Sequence, residues 1–280
     1  MIRLAGAIAL ALVTGCQDGT AEHAAVARRV VSLSPSTTEA MAAIGAQGLL
    51  VGRSRYCDYP PSVASLPVVG GFVDPNYEAI LGLAPDLVIG ARGPAGPALT
   101  ERLAGRGIAV YFPNTESLEG IDAMLVGLGQ RTGHAADATR TVADIDAAVS
   151  RVTASAGRAP RVRALLLFGV TPIVAAGPGS FPDELLRRAG AENVVTAGGA
   201  YPTLGLERLL VLDPDVIVDA AWGEDHARLT TETAGWGELR AVKAGRVVPL
   251  HDEVVLRPGP RVAEGLALLA RAVHADGSGP

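Results

Sequence analysis

Short apolar runs alternate along this chain with stretches in which apolar positions return at helical spacing. That alternation predicts an α/β fold. Strands are expected at Val30 to Leu33, Leu49 to Gly52, Leu87 to Ile89, Ile108 to Tyr111, Arg163 to Phe168, Val216 to Val218 and Val247 to Leu250. Ser36 or Thr37 can cap a helix over Thr38 to Ile44, with Gly45 as its stop. Asp74-Pro75 offers a cap and a proline at the first helical position, which puts Glu78 in the first turn of the next helix. Further helices are predicted at Leu99 to Ala104 and Pro260 to His274. The longest pattern runs from about Ser117 to Ala154. Ile121, Leu125, Leu128, Val142, Ile145, Val149 and Val152 keep its spacing, and Thr132-Gly133 interrupts it. Arg158-Ala159-Pro160 ends it.

One segment occurs twice. Glu78 to Ile89 and Glu207 to Val218 each place a glutamate seven residues before a Pro-Asp pair and a buried-strand run. The copies start 129 residues apart, too far for a solenoid period, so the repeat predicts two similar lobes. Their surroundings match as well. Val30 to Ser34 leads to Thr37-Thr38-Glu39-Ala40-Met41 and Gly45-Ala46, as Ala164 to Phe168 leads to Pro182-Asp183-Glu184-Leu185-Leu186 and Gly190-Ala191. The expected organisation is an N-terminal α/β lobe over 29–116, one long linking helix over 117–157 and a C-terminal α/β lobe over 158–274, with a ligand cleft between the lobes and a disordered tail at 275–280.

The N-terminus carries one basic side chain, Arg3, before the small apolar stretch Leu4 to Leu12. This stretch is too short to span a hydrocarbon core of about 30 Å and reads as the h-region of a signal over residues 1–15. Val13-Thr14-Gly15-Cys16 has the form of a bacterial lipobox, in which Cys16 is lipidated. Residues 16–28, polar and alanine-rich, are then a flexible tether. The expected location is periplasmic or otherwise extracytoplasmic, on a bacterial membrane through the lipid alone.

Removing residues 1–15 leaves 23 basic against 29 acidic side chains and no basic stripe, which argues against nucleic acid as a partner. With Cys16 lipidated, Cys57 is the sole remaining thiol, so no internal disulfide can form. No Gly-x-Ser-x-Gly, Walker A or His-Glu-x-x-His pattern is present, and Gly90-x-x-Gly93-x-x-Gly96 has the wrong spacing for a dinucleotide loop. An enzyme is therefore not expected. An α/β enzyme is the alternative of a different class.

The chain is 4% aromatic, yet Tyr56, Phe72, Phe168 and Tyr201 all fall in expected loops, mostly just after strands. Strand ends face the crevice in open α/β sheets. A flat amphipathic macrocycle needs apolar faces and polar contacts at its rim, and aromatic loop residues supply both. His251 and Cys57 can ligate cobalt or iron, but a loop histidine is more often a surface residue and a lone cysteine more often buried. His23, His134, His226 and His274 show no zinc-type spacing, so no resident metal is expected.

A long helix between two α/β lobes resembles the helical-backbone class of substrate-binding proteins of ABC importers, which carry cobalamin, haem and iron–siderophore complexes. Within it, the chain is most similar to the vitamin B12-binding branch. The similarity rests on Val31-Ser32-Leu33-Ser34-Pro35-Ser36-Thr37-Thr38-Glu39, Tyr56-Cys57-Asp58-Tyr59-Pro60-Pro61, the two Glu-x6-Pro-Asp segments, Leu167-Phe168-Gly169 and Leu256-Arg257-Pro258-Gly259-Pro260-Arg261. It implies a monomeric carrier that captures a corrinoid in the interlobe cleft, holds no covalent cofactor, and delivers its ligand to a membrane permease and its ATPase. The implied ligand positions are Tyr56, Phe72, Phe168, Tyr201 and an acid near Glu253, and Arg92 and His251 are added from their loops. Glu78 and Glu207 are implied to dock on the permease. Phe72 and Tyr201 stand where the branch has tryptophan. A haem or ferric-siderophore carrier is the alternative within the class; a siderophore would call on Arg55, Arg92 and Arg257.

Overall fold

The computed structural model describes residues 26–93, 96–221 and 229–275. The expected signal, the Cys16 lipidation site, most of the tether, His23, His226 and nearly all of the C-terminal tail lie outside the described residues. Ordered packing starts before residue 29. Ala27 is buried and its N–H donates to Arg131 O at 2.8 Å, so the last tether positions belong to the folded body.

The first lobe is a parallel sheet of β1 (Val30–Ser32), β2 (Leu50–Arg53), β3 (Leu87–Ile89) and β4 (Ala109–Tyr111), ordered β2-β1-β3-β4. It carries helices α1 (Pro35–Ala43), α2 (Tyr77–Gly82) and α3 (Gly96–Ala104). Next come α4 (Leu118–Thr132) and α5 (Ala135–Ala156). The second lobe has strands β5 (Val162–Val170), β6 (Ile173–Ala175), β7 (Ala191–Asn193), β8 (Thr203–Leu204), β9 (Val216–Asp219) and β10 (Val247–Pro249). Its helices are α6 (Phe181–Arg188), α7 (Leu206–Leu212), α8 (Arg240–Lys243) and α9 (Val262–His274). The parallel set β7-β5-β9-β10 repeats the order of the first sheet. The long strand β5 also pairs antiparallel with β6, and β6 with β8, an extension the first lobe lacks. The apolar pattern did not predict β6, β7 or β8.

The sequence repeat is a repeat of construction. In each copy the residue before the proline has left-handed backbone, Ala84 at φ 44° and Asp213 at φ 38°, which ends the helix and turns the chain into the next strand. An arginine from the edge of the central strand then caps that helix. Arg29 Nη2 donates to Leu83 O at 2.7 Å, and Arg163 Nη2 donates to Leu212 O at 2.6 Å. Cations at the carboxyl end of a helix satisfy orphan carbonyls and complement its dipole.

Two predicted caps are displaced. Ser34 rather than Ser36 or Thr37 caps α1, because Pro35 fits the first helical position. Asn76 rather than Asp74 caps α2, accepting from Ala79 N at 3.0 Å, while the Asp74 carboxylate is taken by Arg55 at 2.8 Å.

The connection over 117–157 is helical but doubles back. Gly133, at φ 76°, ends α4, and α5 returns against it. A Cβ on Gly129 would lie 2.5 Å from Ala138 Cβ, so glycine is what lets the two helices close up. The single long connecting helix is thus α5, which touches both lobes. Its Thr141 hydroxyl donates to Ala43 O of α1 at 3.2 Å, and besides α4 it packs along α9 and touches α6 of the second lobe. One apolar core joins the two lobes through the helices: Met41 and Ile44 of α1, Leu125 and Leu128 of α4, Ile145 and Val149 of α5, Leu185 of α6, and Leu266 and Leu269 of α9. Each lobe keeps a smaller core of its own on the other face of its sheet, around Val31 and Val88 in the first and Leu165 and Ile217 in the second. Each large side chain so buried contributes roughly 1.5–3 kcal/mol.

Candidate ligand cleft

The first lobe opens toward the second at the carboxyl ends of its parallel strands. Ser34 to Ser36 at the start of α1, Tyr56 beyond β2, Phe72 and Val73, Ala91 and Arg92 beyond β3, and Pro113 to Glu116 beyond β4 line a cavity of ≈ 660 Å³. Pro258 closes it from the second lobe. That volume is of the size that holds a small organic ligand. Phe72 is fixed by Gly93, where a Cβ would come within 2.2 Å of the ring, so this glycine of the Gly90-Gly93-Gly96 run serves packing. Tyr56 is 53% exposed and faces Arg55, whose guanidinium carbon is 5.7 Å from the ring centre.

The second lobe contributes Phe168 and Tyr201, in edge contact with centroids 5.7 Å apart. Phe168 was expected in a loop; it lies inside β5, because that strand runs on to pair with β6. The Tyr201 hydroxyl reaches across the seam and donates to Glu116 Oε2 at 2.8 Å. Burial, with the carboxylate as acceptor, pushes the phenol pKa well up, so it remains a donor.

His251 and Glu253 lie beside this cavity, in a smaller one of ≈ 340 Å³ shared with Asp58, Tyr59, Asp252, Arg257 and Arg261. Arg257 is fully engaged there. It pairs with Glu39 at 2.6 Å, with Asp58 at 3.3 Å, and with Glu253. Arg261 binds the same Glu39 carboxylate in bidentate fashion, at 2.8 Å through both nitrogens, and stands 4.1 Å over the Tyr59 ring. Glu39 is 2% exposed, so one buried carboxylate of α1 bolts the first lobe to the second.

The predicted residues therefore fall into three neighbouring groups: Tyr56, Phe72 and Arg92; Phe168 and Tyr201; His251 and Glu253. Cys57 stands apart, fully buried with its sulfur 3.3 Å from the Ser54 hydroxyl. Among the described residues no cluster of three or more His, Cys, Asp or Glu could hold a metal ion. Of the three candidate arginines, Arg55 and Arg257 are spent in ion pairs; only Arg92 has no acidic partner among the described residues. Sequence reasoning missed Glu116 and the interlobe role of Glu39. The first lies in the loop after β4, a strand-end position of the kind that located Tyr56, but it is not aromatic. The second was visible as an acid among the apolar positions of α1.

Glu78 and Glu207 occupy matching places, each exposed in the first turn of α2 or α7. Neither carboxylate has a hydrogen bond or ion pair among the described residues.

The model of the family described as periplasmic binding protein matches residues 30–254. The chain belongs to the periplasmic binding protein family. It is 28% identical over 278 residues to the vitamin B12-binding protein of Photorhabdus laumondii, covering 99% of each chain. The crystal structure of the periplasmic vitamin B12-binding protein of Vibrio cholerae superposes with a TM-score of 0.74 at 27% identity, over 88% of this chain and 96% of that one. A periplasmic haem-binding protein from Pseudomonas aeruginosa superposes with a TM-score of 0.77 at 31% identity, over 89% and 93%. As a periplasmic binding protein the chain is an extracytoplasmic ligand carrier, and proteins of this type deliver their ligand to an ABC permease. Among the described residues no helix is long and apolar enough to cross a membrane.

Proposed function

We propose that this periplasmic binding protein captures a corrinoid in the interlobe cleft and hands it to the permease of an ABC importer. The observation that carries this reading is the cleft's chemistry: Tyr56 and Phe72 line the cavity, Tyr201 and its neighbour Phe168 stand across the seam from Glu116 of its lining, and two of three candidate arginines are already neutralised by carboxylates. A corrin ring offers apolar faces and a rim of amides, which suits such a site. A ferric siderophore would ask for free cations that Arg55 and Arg257 do not supply. Haem is the second reading, favoured by the likeness to the Pseudomonas protein, and it would place its propionates near Arg92. Tyr56, Phe72 and Phe168 would bear the ring, Tyr201 and Glu253 would meet its rim, and His251 would lie at the edge.

Tyr56→Ala and Phe168→Ala are each expected to weaken cobalamin binding by about 1–3 kcal/mol, the scale of losing a buried aromatic contact. Titration calorimetry reads this directly, and unchanged affinity in both variants would remove the aromatic cleft from the account. The Tyr56 variant should keep its melting temperature, because that side chain is half in solvent.

The protein acts as a monomer tethered through lipid on Cys16. Cys16→Ser should abolish acylation and free the protein from the membrane fraction without altering ligand affinity. Metabolic labelling with palmitate decides it: label retained on the serine variant contradicts the lipobox reading.

A further inference from the structure

Charge in the cleft is distributed in a way that discriminates between ligands. Glu116 enters the ≈ 660 Å³ cavity from the loop after β4, its backbone N–H donating to Asn114 Oδ1 at 3.1 Å. Among the described residues its carboxylate accepts one bond, from the Tyr201 hydroxyl at 2.8 Å, and Phe168 supports that phenol edge-on. A carboxylate offers about four lone-pair sites, so most of its accepting capacity remains open to a ligand in the cavity that Glu116 lines. The same cavity is lined from the β3 loop by Arg92, the one candidate arginine without an ion pair among the described residues; Arg55 and Arg257 are held by Asp74 and Glu39.

Building on the corrinoid reading, we propose that Glu116 is the residue that selects amide-rimmed over carboxylate-rimmed macrocycles. A peripheral amide presents N–H groups that its free lone pairs accept. A ligand carboxylate at the same place meets a like charge in a site from which the ligand displaces water, where the repulsion is less screened than in solution. Specificity of this kind rests on repulsion of the wrong ligand as much as on attraction of the right one. Arg92 acts in the opposite sense, and Tyr201 is a positioning residue that holds the carboxylate at the seam.

The test compares cobalamin with its three monocarboxylates, each having one propionamide side chain hydrolysed, on the full chain. The weakest-binding isomer should lose about tenfold or more relative to cobalamin. In Glu116→Gln that ratio should shrink to within about threefold, whereas Arg92→Gln should enlarge it. A ratio unmoved by Glu116→Gln overturns the proposal, as does a ratio that moves the same way in both variants, since a merely structural role would weaken all ligands alike. If the unsubstituted protein takes no cobalamin, the corrinoid reading itself fails. The same ratio is then read with haem and haem dimethyl ester, where Glu116→Gln must again narrow the gap for the selector role to stand.

Discussion

Cells whose only copy of this protein carries Glu78→Lys and Glu207→Lys should fail to import corrinoid, although the purified variant binds it as before. Each glutamate already has a modest local role: an acid in the first turn of a helix contributes about 0.3–1 kcal/mol through the dipole. That role accounts for either position alone. It does not account for two exposed carboxylates, unpartnered among the described residues, at the same point of two lobes whose parallel strands repeat the same order. A permease built from two similar halves can meet such a surface with one arginine on each half, in charge-assisted pairs. Removing one partner of a desolvated interfacial pair costs about 2–5 kcal/mol, and reversing its sign adds repulsion. Loss of both pairs should reduce complex formation by about a hundredfold or more. Co-purification with the permease and uptake of labelled cobalamin check this together. Normal transport by the double variant would leave both residues as helix-stabilising acids.

Glu39→Ala should be the most destabilising single substitution at the lobe junction. The Glu39 carboxylate is buried beneath Arg257 and Arg261 and accepts three hydrogen bonds from them, at 2.6, 2.8 and 2.8 Å. Deleting one member of a buried ion pair leaves the remaining charge unsolvated and costs about 3–5 kcal/mol. Arg257 retains Asp58 and Glu253, which holds the expected loss near the lower limit, about 3 kcal/mol. Denaturant unfolding of the variant against the parent measures it. A change in unfolding free energy of only about a few tenths of a kcal/mol would show that the lobes are held by the shared apolar core and not by this carboxylate. Ligand affinity should fall as well, because Pro258, next to Arg257, closes the cleft.

The elements that were legible in the sequence share a short range. The Glu-x6-Pro-Asp repeat announced two like lobes, and the strands β1, β3, β5, β9 and β10 showed as apolar runs because parallel sheets are covered on both faces. What stayed hidden depends on partners far along the chain. Arg29 and Arg163 cap helices whose carbonyls lie some fifty residues away, and nothing local marks an arginine for that task. Glu39 meets arginines 218 and 222 residues distant. The break at Thr132-Gly133 was visible, but the reversal of direction was not, since α4 and α5 keep the same apolar spacing on either side of it. Asp74 and Asn76 are both good caps, and the choice between them was made by Arg55, which claims the aspartate. At the cleft, aromatic residues stood out against a background poor in them. Glu116 did not, because acids are common on loops and its significance comes from the tyrosine across the seam.

Equilibrium titration of the protein with cobalamin, haem and a ferric siderophore in turn, followed by visible absorption, tests the central claim most directly. Saturable one-to-one binding of cobalamin, weakened in Tyr56→Ala and Phe168→Ala and stronger than that of the other two ligands, is the predicted result. Tight binding of haem or the siderophore with none of cobalamin would contradict it.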